Sequence, residues 1–311
     1  MRSFPPLPDV RGSRAPDDLL DGHLWLLELI DGTGLRFRMD DSGLLRFGDP
    51  ETTYADPEAV PVALRPAVRQ IRERFDREAL RDAVDDSEGV VFFGVATGHR
   101  GTDYDWDRLP TFLGTDVWIG NGESAPPERA GAFRPPDAAA AIFEGVGLDP
   151  VNAVEREVNA RDFDPERYAI PESAWREGRA AGVVVRNKRG GRGKLLAEGA
   201  APDAGEGDQD GDPDAPTVDG SDAPTVDGSD APTVDGPDAI AAAYATDDRF
   251  ERVVADLKRR GERVTVDAVA DRVIESIARE TPVRFGAGAG ADPDRLRAAV
   301  IQRARVVLDE R

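Results

Sequence analysis

The sequence predicts an α+β fold, with antiparallel strands and flanking helices followed by a small helical domain at the C-terminal end. Three observations carry this. Residues 35–39 alternate Leu35, Phe37 and Met39 against Arg36 and Arg38, the period of two of a half-buried strand. Two short apolar runs, Gly89–Gly94 and Ala180–Val185, have the length and continuity of buried strands. Past an acidic repeat tract, three segments place their apolar residues at helical spacing.

Residues 1–22, rich in Pro, Asp and Arg, read as an irregular lead-in. The apolar run Leu24–Ile30, broken only by Glu28, is a strand. It turns at Asp31-Gly32 into the alternating segment as an ordinary meander, and Asp40-Asp41-Ser42-Gly43 is a hairpin turn into Leu44–Phe47. The same residues also fit a nucleotide-phosphate site, with a polar Asp-Gly turn and arginines aimed together. Leu64, Val68, Ile71 and Phe75 mark an amphipathic helix with a solvated arginine face. Thr111–Trp118 is a weaker strand. Pro135-Pro136-Asp137 before an alanine run starts a helix, because proline suits the first turn. Residues 151–175 give no clear period, and Lys194-Leu-Leu196 begins a further strand.

The charge then changes sign. Residues 178–197 hold six basic side chains and no acid, while residues 198–238 hold thirteen acids and no base. The acidic tract contains three octapeptides, at 214–221, 222–229 and 230–237, whose Pro, Gly and Asp content predicts a disordered linker. Beyond it, Phe250, Val253, Val254 and Leu257 form one helix face. Val266, Val269, Val273 and Ile277 form another behind the N-cap Thr265, and Asp292-Pro293 starts a third with Leu296, Val300, Ala304 and Val307. The expected units are 1–198, the linker 199–237, and a small three-helix domain at 238–311.

The chain has 311 residues with 61 acidic against 40 basic, a formal charge of −21, and lysine only at Lys188, Lys194 and Lys258. Acid excess with so little lysine resembles proteins of organisms with a salt-rich cytoplasm, where screening blunts the repulsion. The expectation is therefore a halophilic, cytoplasmic protein. There is no cysteine, which excludes disulfides and thiolate metal sites, and His23 and His99 lack metal-ligand spacing. The opening Met1-Arg-Ser-Phe-Pro-Pro-Leu-Pro8 lacks the apolar core of a signal peptide, and no segment is long enough to span a bilayer, so no membrane partner is expected.

Taken in order, several short motifs resemble the nucleotidyltransferase domain of RNA ligases, the branch with the phage-type and RNA-editing enzymes. Glu28-Leu29-Ile30-Asp31-Gly32 occupies the family's Lys-x-Asp-Gly motif with its preceding Glu. Arg46 matches a family arginine, and Val90–Gly94 matches the strand that ends in Phe-Gly-Glu. Thr115-Asp116 matches a position where an aromatic residue before Asp stacks on adenine. Ala181–Arg186 matches Glu-Gly-Val-Val-Ile-Lys, and Arg192-Gly193-Lys194 matches the closing Lys-x-Lys. The resemblance covers nearly everything except the repeat linker. It implies an ATP-grasp-like ligase fold, ATP and Mg²⁺ as cofactors, and nucleotide and RNA ends as partners. The family reaction forms a lysyl-AMP with loss of pyrophosphate and then joins an RNA 5′-phosphate to a 3′-hydroxyl.

Four motif positions depart from the pattern. Leu29 has no nucleophilic atom, Val95 replaces the ribose-binding carboxylate, Thr115 replaces the stacking ring, and Ala181 replaces the motif glutamate. Two readings stay open. One is a degenerate ligase retained for nucleotide or RNA-end binding. The other is an active ligase with a displaced lysine, for which Lys194 has the best claim. The resemblance names Lys194 and Asp31 as catalytic candidates. It names Glu28, Leu29, Ile30, Gly32, Arg36, Arg46, Arg186, Lys188 and Arg192 as the nucleotide and phosphate site, with no resident metal ligand. The acidic tract could also lie over the basic segment and compete with RNA.

Overall fold

The computed structural model describes residues 1–120, 131–197, 236–285 and 292–309. All but the last two residues of the expected linker lie outside the described residues. In chain order the elements are β1 (His23–Glu28), β2 (Gly32–Met39), β3 (Leu45–Gly48), β4 (Thr53–Tyr54), α1 (Arg65–Arg74), α2 (Arg77–Ala83), β5 (Val90–Thr97), β6 (Phe112–Gly120), β7 (Gly131–Phe133) and α3 (Pro136–Gly145). There follow β8 (Ala153–Asn159), β9 (Gly182–Asn187), β10 (Arg192–Leu196), α4 (Pro237–Tyr244), α5 (Asp247–Arg259), α6 (Val266–Glu280) and α7 (Pro293–Asp309).

The strands form two antiparallel sheets, a four-stranded one in the order β10-β9-β1-β8 and a six-stranded one in the order β4-β3-β2-β5-β6-β7. The meander expected through Asp31-Gly32 does not form, because β1 and β2 belong to different sheets. β1 is flanked on both sides, by β8 and by β9, and has no free edge for β2. β2 instead pairs with β5 from Gly32↔Thr97 onward. Glycine is required there, since a Cβ on Gly32 would stand 2.2 Å from the Ala96 carbonyl oxygen.

Each sheet buries its outer face separately. Leu35, Phe37 and Met39 of β2 point with Phe92 and Val117 toward Val68 and Ile71 of α1 and Phe143 of α3. Phe37 stacks on Phe92 at 4.8 Å and meets Phe75 edge-on at 5.3 Å, arrangements that add to plain area burial. The four-stranded sheet packs Leu24, Leu26, Val183, Val185 and Leu195 against Leu19, Phe163 and Ile170. Between the sheets lie Trp25, Leu27, Ile30, Leu109, Leu113 and Val151. That apolar filling shares the inter-sheet space with the charged groups of Asp116, Arg186 and Arg192.

Among the described residues, the C-terminal unit has four helices rather than the expected three. The additional one, α4, starts at Pro237 and buries Ile240 and Ala241. Its eight alanine-rich residues carry too few large apolar side chains to show a helical period. Thr265 caps α6 by accepting from the Ala268 N–H at 3.1 Å, and Asp292 accepts from the N–H of Asp294 at 3.0 Å. The helices pack around Phe250, Leu257, Val273, Ile277 and Val300. They dock on the six-stranded side through Arg69–Glu275 (2.6 Å) and Arg279, which donates to the Leu109 carbonyl (2.6 Å) and the Thr97 hydroxyl. Among the described residues, no helix is long and apolar enough to cross a membrane.

Candidate functional site

Strand register assembles the charged half of the inter-sheet space. In an antiparallel sheet, paired residues on neighbouring strands share a face. Arg36↔Phe93 and Phe93↔Asp116 therefore set Arg36, Phe93 and Asp116 in one row on the inner face of the six-stranded sheet. On the facing sheet, Trp25↔Arg186 and Arg186↔Arg192 make a second row. Asp116 bridges the rows. One of its carboxylate oxygens accepts from Arg192 Nη1 at 2.6 Å and from Arg186 Nη2 at 2.8 Å. Arg186 also donates to the Thr115 carbonyl at 2.8 Å and the Arg134 carbonyl at 3.4 Å. The Arg192 guanidinium lies 4.6 Å from the Phe133 ring centroid.

The arginines of the two rows are buried and short of acceptors. Arg36, Arg186 and Arg192 are 5%, 1% and 5% exposed. The Nε groups of Arg36, Arg186 and neighbouring Arg134 are buried with no hydrogen-bond partner. Burial works against the charged form of Asp116, but attraction from Arg186 and Arg192 outweighs it and holds the carboxyl below its usual range. Burial likewise draws Arg36 and Arg186 below the ordinary arginine range, opposed by Asp49 and Asp116 respectively. Arginine keeps its proton even so. The result is a buried cationic surplus with donors to spare, which suits a phosphate or another oxyanion.

The remaining expected site residues are dispersed. Glu28 is buried at the end of β1 and accepts from Ser173 Oγ (2.5 Å), Asn152 Nδ2 (2.8 Å) and the Ala174 N–H (3.1 Å), stapling two loops to the strand. The Leu29 N–H donates to the Gly182 carbonyl at 3.0 Å, and Ile30 belongs to the inter-sheet apolar cluster. Asp31 accepts from the Thr102 N–H at 3.0 Å while its own N–H donates to Tyr104 Oη at 3.0 Å; with Gly32 it shapes the crossing between sheets. Arg46 pairs with Asp40 at 3.2 Å, at the β2–β3 hairpin. Lys188 sits beyond the end of β9, paired with Glu157 at 2.7 Å. Lys194 follows Arg192 by two residues on β10, and its N–H and carbonyl bond to Pro8 and Val10 at 2.8 and 2.9 Å.

Beside the cluster opens a cavity of about 310 Å³ lined by Trp25, Leu27, Leu113, Thr115, Asn152 and Trp175, among others. Trp25 and Thr115 belong to both places: Trp25 pairs in register with Arg186, and the Thr115 carbonyl accepts from it. Sequence reasoning did not select Asp116, Arg134 or Trp25 as site residues. Only Asp116, next to Thr115 in a motif that the resemblance singled out, carried any local signal.

Among the described residues, carboxylates suited to a divalent cation do not accompany the arginines. Asp116 is bonded to two guanidiniums and Glu28 to three donors. Among the described residues no group of three or more His, Asp or Glu is arranged to hold a metal ion. The donor set fits an anion and does not fit a resident Mg²⁺.

No family model matches the chain, and no curated protein matches it. Among solved structures it is similar to an archaeal ATP-dependent RNA ligase (form 2), at 15% identity over 63% of this chain and 48% of that one, with a TM-score of 0.42. It is also similar to Naegleria gruberi RNA ligase with PPi, at 12% identity over 63% and 56% and a TM-score of 0.47. A mutant of that ligase with ATP and Mn gives 13% identity over the same shares and the same score. The chain spans about half the length of these structures.

Proposed function

We propose that this chain is an RNA-ligase-like protein that holds a nucleotide or an RNA 5′-phosphate end between its two sheets without joining ends itself. The observation that carries the reading is the buried arginine surplus. Arg186 and Arg192 share the one carboxylate of Asp116, Arg36 lies in the same row as that aspartate, and Arg36 and Arg186 each keep an unpaired Nε–H. A buried charge without a full complement of partners is costly, and an incoming phosphate supplies both the charge and the acceptors. The adjoining cavity, walled by Trp25, Leu27, Leu113 and Trp175, offers apolar faces to a base on the same ligand.

The chemistry of joining is what the site lacks. Forming the adenylate requires an unprotonated amine to attack the α-phosphate and expel pyrophosphate. Leu29 supplies no such atom. The hydrogen bond from Lys188 to Glu157 moves that lysine's pKa upward, away from the neutral amine. Any Mg²⁺ would enter on the nucleotide phosphates rather than on protein carboxylates.

A second reading rests on Lys194. Its position two residues from Arg192 puts it on the same face of β10 and makes it the lysine able to carry an adenylate in an active ligase. Incubation with α-phosphate-labelled ATP and Mg²⁺ at high salt, denaturation and adduct mapping separate the two. Expected are no covalent label and binding of 5′-phosphorylated RNA in preference to 5′-hydroxyl RNA. A label on Lys194 would replace the proposal with the active ligase, and equal weak binding of both RNAs would sink it.

A further inference from the structure

The segment before β1 lies against the arginine row. Pro8 and Val10 bond to the main chain of Lys194 along the outer edge of β10, in a parallel bridge at Asp9. From there the chain reaches the inner face of the other sheet. The Phe4 ring meets Phe93 edge-on at 5.1 Å and lies 5.8 Å from the Arg36 guanidinium. The Arg2 carbonyl accepts from Arg36 Nη1 at 3.1 Å, and the Arg2 guanidinium covers the Trp118 ring at 4.1 Å. Phe93, Trp118 and Phe133 are in ring contact with one another through Phe133, and Phe133 carries Arg192. Residues 2–4 thus occupy the side of the cleft from which Arg36 would meet a ligand.

We propose that residues 2–7 are a removable plug that imitates an anion in the cleft and is displaced when a polyphosphate enters, a form of regulation that rests on the anion-binding reading above. What the segment offers Arg36 is a neutral carbonyl dipole and the negative face of a ring. Each is a weak substitute for a phosphate oxygen, whose charge-assisted bond is about twice as strong. The Nε–H of Arg36 keeps no acceptor while the plug is in place. The segment is also built for release. Pro5, Pro6 and Pro8 have no N–H to give, so the stretch cannot zip into a sheet as an ordinary strand would. Proline stiffness holds it extended between β10 and Phe93 at low entropic cost. The bonds of Pro8 and Val10 to Lys194 supply a fixed anchor beside the part that moves.

The test compares the full chain, a chain lacking residues 2–7, and Gly34→Ala. A Cβ on Gly34 would stand 2.9 Å from the tip of the Phe4 ring and push the plug aside with every cleft cation left in place. The probe is inorganic tripolyphosphate, measured by calorimetry. The truncated chain is expected to bind at least tenfold tighter than the full chain, with Gly34→Ala between them, because apparent affinity falls with the fraction of open sites. A single nitroxide at Ser3→Cys, unique because the chain has no cysteine, reads the plug directly. Its spectrum should be immobilised in the free protein and sharpen with saturating probe. A sharp spectrum before the probe is added, or an unchanged broad one while the probe binds, overturns the plug. Equal affinity of full and truncated chains overturns it too and leaves the anion site standing. Failure of both chains to bind overturns the anion reading and removes the plug's role with it.

Discussion

Replacing Asp116 with Asn isolates the group on which the cleft's charge balance turns. The amide keeps the shape and one acceptor but not the charge, so the buried trio of Asp116, Arg186 and Arg192 goes from a net charge of +1 to +2. Both hydrogen bonds, at 2.6 and 2.8 Å, fall on one carboxylate oxygen, so a single change weakens two pairings. Removing one partner of a buried ion pair costs about 3–5 kcal/mol, and the retained amide acceptor argues for the lower end, about 3 kcal/mol. With an m-value of about 3 kcal/mol per M, the urea midpoint should fall by about 1 M. Tripolyphosphate should recover part of the loss, since it replaces the missing negative charge. The pH dependence follows the same logic. A carboxyl held low in the folded state adds stability above its unfolded value of about 3.9, and this is lost as pH falls through the folded value. Asp116→Asn should lack that part of the acid slope. A midpoint shift under about 0.3 M at neutral pH would refute the idea that the arginines depend on this carboxylate.

Three other outcomes are expected. Glu28→Ala strands the donors of Asn152, Ser173 and Ala174 and should cost about 3 kcal/mol by thermal melting, as a structural staple would, without creating a covalent ATP label. Arg279→Lys cannot reproduce the fork that meets the Trp106, Leu109 and Pro110 carbonyls and the Thr97 hydroxyl. It should cost about 2 kcal/mol and raise hydrogen exchange in α6 while the sheet signal stays constant. His99 has a buried, unpaired Nδ1, and burial and Arg284 lower its pKa against the opposing pull of Asp103 and Asp31. The unfolded chain therefore takes up the proton first as pH falls. Stability should drop below about pH 6.5, and a melting-temperature series on His99→Gln should show that slope reduced.

The sequence made local structure legible where one side of an element faces a core. The spacing of Leu64, Val68, Ile71 and Phe75 corresponds to α1 and its immediate flanks, and Thr265 caps α6 as its position implied. The alternation at Leu35, Phe37 and Met39 marks β2, with all three fully buried. It could not reveal that the arginine face of that strand meets a second sheet, since an Asp-Gly turn reads the same whether it closes a hairpin or crosses between sheets. Strand β8 escaped notice because Glu155, Arg156 and Glu157 are exposed at a sheet edge, where no apolar period is needed. The candidate site was legible only as separate motifs. Asp116 lies 70 residues from Arg186 and 76 from Arg192, and only sheet register brings them together. Nor does a proline-rich lead-in announce that its Phe4 will rest on Phe93.

The anchoring of Pro8 and Val10 on β10 has a consequence for the behaviour of many copies of the chain together. An outermost strand presents unpaired main-chain groups that can recruit another molecule, and proteins protect such strands with charge, bulges or a covering segment. At the far side of the four-stranded sheet, β8 is protected by its exposed charges, by register shifts against β1 and by the positive φ of Glu157. At β10 the protection comes from the chain's own residues 8–10. Cutting the chain after Val10 would therefore do more than open a cleft: it would leave a bare strand and turn a ligand-binding question into one of self-association and solubility.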